Sequence, residues 1–250
     1  MNILLCLLLL FTISFSKQTD SVEVNLIYRP LDSQLRIFEM ELFKKVISFY
    51  NLKNEKKIKL IIHIEPDFNK IRPLMLSDTF KNKHVSSISS FTISDIPNFE
   101  YSAAYLPVKD AFISLRNYKY KNDFIRCGYN NNSYTFSVIN SIKDKNRFKY
   151  VPFSSSSKLL KELKKGTIEC YFFDSYVTFF NPEIKILKYA SDETSYLGII
   201  FRKNSELKKM LNPTIKYFVT SSLYYSMLRK YLGNDISKYV EKMLKKSNLN

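Results

Sequence analysis

Two histidines, three cysteines and a thin scatter of carboxylates are what this 250-residue chain offers for catalytic chemistry. His63 lies inside an apolar run and His84 sits beside Lys83, and neither has a carboxylate at helical spacing to complete a metal site. Neither Gly-x-Ser-x-Gly nor His-Glu-x-x-His occurs. Cys127 and Cys170 have no neighbouring histidine to activate a thiol nucleophile. Both fall in short apolar runs, as two buried thiols, with a disulfide as the alternative in an oxidising compartment. Turnover needs a tuned acid–base pair, so no catalytic residue, cofactor or metal is expected. What remains are groups suited to noncovalent recognition at the ends of apolar runs. Asp174 closes Ile168–Phe173, Ser90 and Thr92 close Val85–Phe91, and Asn130 to Ser133 follow Phe124–Gly128.

Those groups need elements to hold them. Val22–Tyr28 alternates as a strand does. Leu35, Phe38, Leu42, Val46 and Phe49 recur at three- and four-residue spacing, predicting an amphipathic helix over 33–50 capped by Asp32 or Ser33. Lys59–Ile64 and Val85–Phe91 read as strands around a helix over 68–80, with Pro73 denting it or lying near its start. The β-α-β-α-β order then repeats. Phe124–Cys127 is a strand ending at Gly128, followed by a helix to Ile142. Phe148–Val151 is a strand, Ser157–Lys165 a helix stopped at Gly166, and Ile168–Phe173 a strand. Ala111–Leu115 and Tyr196–Phe201 are strand-like connections, and the last fifty residues read as helices stopped once, at Gly233. Two such units crossed twice by the chain make an α/β protein of two lobes, each a mostly parallel sheet flanked by helices, with a hinge and a cleft at the strands' carboxyl ends.

Composition narrows the partners. Hydrophobic residues at 45% exclude disorder. The net charge of +16 would suit nucleic acid, but Lys far outnumbers Arg and the excess runs along the whole chain. Asn, Ile, Tyr and Phe are abundant too, a bias that A/T-rich codons produce, and no nucleic-acid partner is expected. From Phe201 onward 11 Lys+Arg face 3 Asp+Glu, the strongest case for a basic face. Residues 1–16 carry the apolar run Ile3–Leu10 and the small residues of Ser14-Phe15-Ser16. They read as a secretory signal peptide cleaved near Ser16, with an uncleaved anchor as the alternative.

Several segments resemble the periplasmic solute-binding proteins of family 3, the amino-acid ABC-transporter type with the type II periplasmic-binding fold. Tyr28-Arg29-Pro30-Leu31 resembles the family's Tyr-Pro-Pro-Phe, and Phe38-Glu39-Met40-Glu41-Leu42 its Phe-Asp-x-Asp-Leu. Phe68-Asn69-Lys70-Ile71-Arg72-Pro73 is similar to Phe-Asp-Gly-Leu-Ile-Pro, and Ile88 to Ser94 to Ile-Ser-Gly-Met-Thr-Ile-Thr. Glu100 to Tyr105 follows Asp-Phe-Ser-Asp-Pro-Tyr, and Leu163 to Asp174 follows Leu-Lys-Ser-Gly-Arg-Val-Asp-Ala-Val-Val-Gly-Asp. The resemblance spans Val22 to Gly233 and implies a periplasmic or secreted monomer that binds a small molecule, an amino acid or amine, for an inner-membrane ABC permease. It implies lobe one at 20–115 plus 195–250 and lobe two at 116–194.

It also implies a site. Ser90 and Thr92 stand at the lobe-one hydroxyl positions, Tyr28 and Phe68 at the aromatic ones, Asn131 and Asn132 in the lobe-two loop, and Asp174 at the ammonium partner. The family's carboxylate-binding arginine after Thr92 is missing, because the chain runs Ile93-Ser94-Asp95-Ile96-Pro97-Asn98. Arg29 or Arg126 is the candidate replacement, and a ligand without an α-carboxylate, or loss of tight binding, are the alternatives. Each residue also has a plainer role open to it. Asp174 could cap the next helix, Tyr28 and Phe68 could be core aromatics, Thr92 a turn hydroxyl, and the asparagines a solvated loop. A sensor lobe, an envelope-polymer binder using the basic surface, and an enzyme on this fold are the competing functions.

Overall fold

The computed structural model describes residues 21–30, 34–119, 124–131, 135, 138–140, 142, 147–154 and 156–247. The expected signal peptide, the helix-capping Asp32 and Ser33, and Asn132 lie outside the described residues.

Strand β1 (Ser21–Tyr28) buries Val24, Leu26 and Ile27 completely, so both its faces are covered, as a central parallel strand requires. Parallel neighbours β2 (Lys57–Ile64) and β3 (His84–Thr92) flank it. Helix α1 (Gln34–Lys53) crosses between β1 and β2 and lays Leu35, Phe38, Leu42 and Val46 on the sheet. Helix α2 (Phe68–Leu76) covers the other face with Ile71 and Met75. The side chain of Asp67 caps it by accepting from the Asn69 N–H at 3.0 Å. Pro73 lies inside α2, and the helix ends at Leu76 rather than at residue 80, with a 3-10 turn over Asp78–Phe80 completing the expected span. Proline removes one helical N–H donor, which shortens what the apolar spacing alone would extend.

Three further strands complete this first sheet: β4 (Phe99–Tyr101), β5 (Leu106–Val108) and β11 (Ser195–Arg202). The order is β2-β1-β3-β11-β4, with β5 also on β11, and β11 runs antiparallel to β3, β4 and β5. Helices α5 (Glu206–Val219), α6 (Ser222–Leu232) and α7 (Asn234–Ser247) pack their apolar stripes with α1 in the largest core cluster.

The second sheet has the order β10-β6-β9-β7-β8, from β6 (Asp110–Leu115), β7 (Ile125–Asn130), β8 (Phe148–Phe153), β9 (Cys170–Asp174) and β10 (Ile184–Tyr189). Strands β8, β7 and β9 are parallel, and β6 and β10 are antiparallel additions. Helix α3 (Ser156–Lys165) stops at Gly166, whose φ of +75° is the left-handed cap the sequence predicts. A four-residue helix, α4 (Val177–Phe180), follows β9.

Two expectations are corrected. Residues 111–115, placed in lobe one by the sequence, form β6 and pair with β9 and β10 in the second sheet. Gly128 does not end its strand, because β7 runs through it to Asn130. A Cβ there would meet Ile168 Cδ1 at 2.6 Å, so the glycine marks close packing inside the sheet and not a turn.

The chain leaves the first sheet between Val108 and Asp110 and returns between Tyr189 and Ser195. The two crossings run side by side, since β5 pairs with β11 and β6 with β10. Lys109 Nζ donates to the Asp192 carbonyl at 2.8 Å and so ties one crossing to the other.

Candidate functional site

Beside the crossings, the carboxyl ends of β1, β3 and β9 bring a set of polar side chains together. Its lobe-one half is built on α1. Arg36 and Glu39 sit three residues apart on that helix, both buried, with Arg36 Nη1 donating to Glu39 Oε2. Glu39 Oε1 also accepts from the Ser90 N–H at 2.7 Å, from Ser90 Oγ at 2.9 Å and from the Tyr105 hydroxyl. Ser90 has a φ of +52°, a left-handed conformation that turns both of its donors onto one carboxylate oxygen. Burial works against the Arg36 charge, but Glu39, Tyr176 and Tyr105 together outweigh that penalty and hold the guanidinium above its ordinary pKa. Burial, reinforced by Glu39, pushes the Tyr105 hydroxyl well up, so it stays a neutral donor.

The lobe-two half comes from the end of β9. Asp174 is the cross-strand partner of Asp110 at the start of β6. Burial first, and the Asp110 charge second, push its carboxyl up to about 7, against a hydrogen bond with Tyr176 and the attraction of Arg36. Tyr176, the next residue but one, packs against the first-sheet core and lies in the fields of both Arg36 and Glu39. Phe179 of α4 meets the Tyr239 ring of α7 at 6.2 Å between centroids. The segment from Asp174 to Phe180 therefore carries second-sheet residues onto the first lobe, and the Arg36–Glu39 pair faces Asp174 across that junction.

The residues expected at the site divide. Asp174, Ser90 and Thr92 stand at strand ends around the junction, with Thr92 in register with Leu197 of β11. The donors of Ser90 are engaged by Glu39. Tyr28 is 7% exposed and its hydroxyl donates to the Arg36 carbonyl at 2.7 Å, which fixes the first turns of α1 over β1. Phe68 opens α2 and stacks on Phe91 at 4.9 Å, and the Arg29 guanidinium lies 5.9 Å from its ring centre. Arg29 Nε donates to the Pro66 carbonyl at 3.1 Å. Asn131 is exposed and its N–H donates to the Phe153 carbonyl at 2.9 Å.

Arg126 is a correction. It lies at the amino end of β7, opposite the end that faces the junction, because the strand extends past Gly128 to Asn130. Its guanidinium is 3.6 Å from Glu169 and donates to the Gly166 carbonyl at 3.0 Å. Of the two candidate arginines, only Arg29 is at a carboxyl end. The sequence reading missed Arg36 as a member of the site. The available signal was an Arg and a Glu at i, i+3 flanking the apolar stripe of α1, a pattern that also describes an ordinary exposed ion pair.

Among the described residues no group of three or more His, Cys, Asp or Glu side chains could hold a metal ion, and no helix is long and apolar enough to cross a membrane.

No protein-family model matches the sequence, and no curated protein matches it. Solved structures do. The ligand-binding core of GluR0 from Nostoc punctiforme, in complex with L-glutamate, superposes with a TM-score of 0.61 at 16% identity, over 85% of this chain and 100% of that one. The arginine-, lysine-, histidine-binding protein ArtJ from Geobacillus stearothermophilus gives 0.60 at 18% identity, over 86% and 96%. AbpA from Streptococcus pneumoniae, an amino acid ABC transporter substrate-binding protein bound to L-arginine, gives 0.62 at 16% identity, over 88% and 97%. The chain has the type II periplasmic-binding fold. In this type II fold the junction of Arg36, Glu39, Asp174 and Tyr176 lies where the two lobes face each other beside their paired crossings. At such identities the likeness establishes architecture, and the side chains must carry any argument about ligand.

Proposed function

We propose that the chain is a divergent relative of the family 3 proteins and an extracytoplasmic receptor for a small polar solute bearing an amine. The solute is held between the lobes and passed to an inner-membrane ABC permease. The observation that carries this reading is Asp174: a carboxylate at the carboxyl end of β9, half-buried beside Asp110 at the interlobe junction. A carboxyl kept in that setting gains from any cation that enters, since the cation offsets both the desolvation and the Asp110 repulsion. The ammonium of an amino acid or amine is such a cation. Arg29, at the end of β1 beside Phe68, is the guanidinium placed to meet a carboxylate on the same solute. Arg36 is committed to Glu39 and orients the junction. The solved structures of the same fold, whose ligands are glutamate and arginine, support the amino-acid class. Lobe boundaries near residues 109 and 190–194, a monomeric state and removal of residues 1–16 belong to the same proposal.

The test is a thermal-shift screen of amino acids, amines and small peptides, followed by calorimetry on whatever stabilises the protein. A cationic or zwitterionic solute should raise the Tm, and Asp174→Ala should weaken its binding by about 10- to 100-fold, the scale of one lost charged hydrogen bond. Equal affinity in the Asp174→Ala protein would remove the carboxylate from the site. A screen with no stabilising solute would count against small-molecule capture.

A further inference from the structure

Sheet two holds a feature that ligand capture does not use. Cys127 on β7 and Cys170 on β9 are register partners on adjacent parallel strands. Both are completely buried, in the cluster that contains Phe112, Tyr129 and Phe172. Strands so paired run about 4.8 Å apart, inside the Cα separation of roughly 4.4–6.8 Å that a disulfide accepts. As register partners on parallel strands their side chains leave the sheet on the same face, where both stand as free thiols and Cys127 Sγ donates to the Gly128 carbonyl at 3.8 Å.

We propose that Cys127 and Cys170 form a disulfide that closes during folding, by exchange with a disulfide-bearing oxidant. One cysteine thiolate attacks the oxidant's S–S bond, forming a mixed disulfide and expelling one thiolate. The second cysteine thiolate attacks the protein sulfur of that mixed disulfide, forming the Cys127–Cys170 bond and expelling the other thiolate. Two protein thiols are oxidised by two electrons, one oxidant disulfide is reduced to two thiols, and the two protons end on those thiols.

The timing follows from burial. In the folded lobe, burial and the neighbouring Cys170 sulfur push the Cys127 thiol well above its ordinary pKa, so almost no thiolate exists to react. No oxidant reaches sulfur atoms that have no exposed surface. The bond is therefore made while β7 and β9 are still coming together, and once made it is shielded from reductant. That distinguishes it from a redox switch, which needs an exposed, low-pKa thiol. Its physiological use rests on the extracytoplasmic reading above, because an oxidising compartment supplies the oxidant. Its chemistry in a test tube does not rest on that reading.

The full chain is denatured, fully reduced, and refolded with a mixture of oxidised and reduced glutathione, then alkylated and digested with trypsin without reduction. The expected product is peptide 127–143 joined to peptide 166–185, two hydrogen masses below their sum. The Tm should lie on the order of 10 °C above that of protein refolded in reductant, given the loop the bond closes. Reductant added to the folded oxidised protein without denaturant should leave the link intact. A Cys127→Ala/Cys170→Ala double variant should show no oxidant-dependent gain in Tm. Alkylation of both Cys127 and Cys170 after oxidative refolding overturns the proposal, as does linkage of either only to Cys6, or an unchanged gain in the double variant.

Discussion

Asp174 connects binding to stability through one proton. Its carboxyl is pushed up to about 7 in the folded chain, against about 3.9 for an unperturbed Asp. A folded pKa above the unfolded one means the native state holds the proton longer. From about pH 4 to pH 7 the native state thus binds more protons than the unfolded one, and stability falls as pH rises through that window. The contribution of this group is most favourable below pH 4 and is lost by pH 7. Urea midpoints measured across the window should therefore decline, and Asp174→Asn, which cannot ionise, should flatten the decline. An equal slope in the variant would assign the effect to other groups. Thr92 and Asp174 were placed at their strand ends by the sequence because an apolar run gives way to a polar residue there. The Arg36–Glu39–Ser90–Tyr105 group was not legible, because it joins residues up to 69 positions apart through the left-handed turn at Ser90. No local pattern encodes that convergence.

Elements were legible in proportion to their length and periodicity. The 20-residue α1 carries enough apolar repeats to define both its extent and its buried face. Strands β4 and β5 have three residues each, and α4 has four, too few for any period to show. Their places are set by pairing with β11 and by docking on the first lobe, which are tertiary events. Glycine was read correctly as a helix stop at Gly166 and Gly233, and wrongly as a strand end at Gly128. At Gly166 the positive φ is a real requirement, and nothing lies within 4 Å of the missing Cβ. Gly166→Ala should therefore cost about 1 kcal/mol from backbone strain alone, read as a lower urea midpoint with the fold unchanged. A neutral substitution would show that α3 can end without the left-handed cap. At Gly128 the requirement is space, which only the packed neighbours Ile168, Leu159 and Phe153 reveal.

At the scale of the whole molecule, the two lobes differ in how the chain assembles them. All five strands of the second sheet lie between Asp110 and Tyr189. The first sheet is discontinuous, since β11 sits between β3 and β4 and is the last strand among the described residues. The helices that complete its core, α5 to α7, come later still. During synthesis the second lobe thus has all its strands about sixty residues before the last of those helices is made, while β3 waits with an open edge. Closing that edge spans more than a hundred residues of sequence, and such long-range pairing is slow. Pulsed hydrogen exchange during refolding should protect amides of β7 and β9 before those of β1 and β3, and the reverse order would refute this sequence of events. A chain released at Tyr189 would keep the second lobe and leave the first as an unpaired sheet edge, the kind of surface that recruits chaperones and seeds aggregation. The strand that receives the return crossing, β11, is thus also the one that ends this exposure.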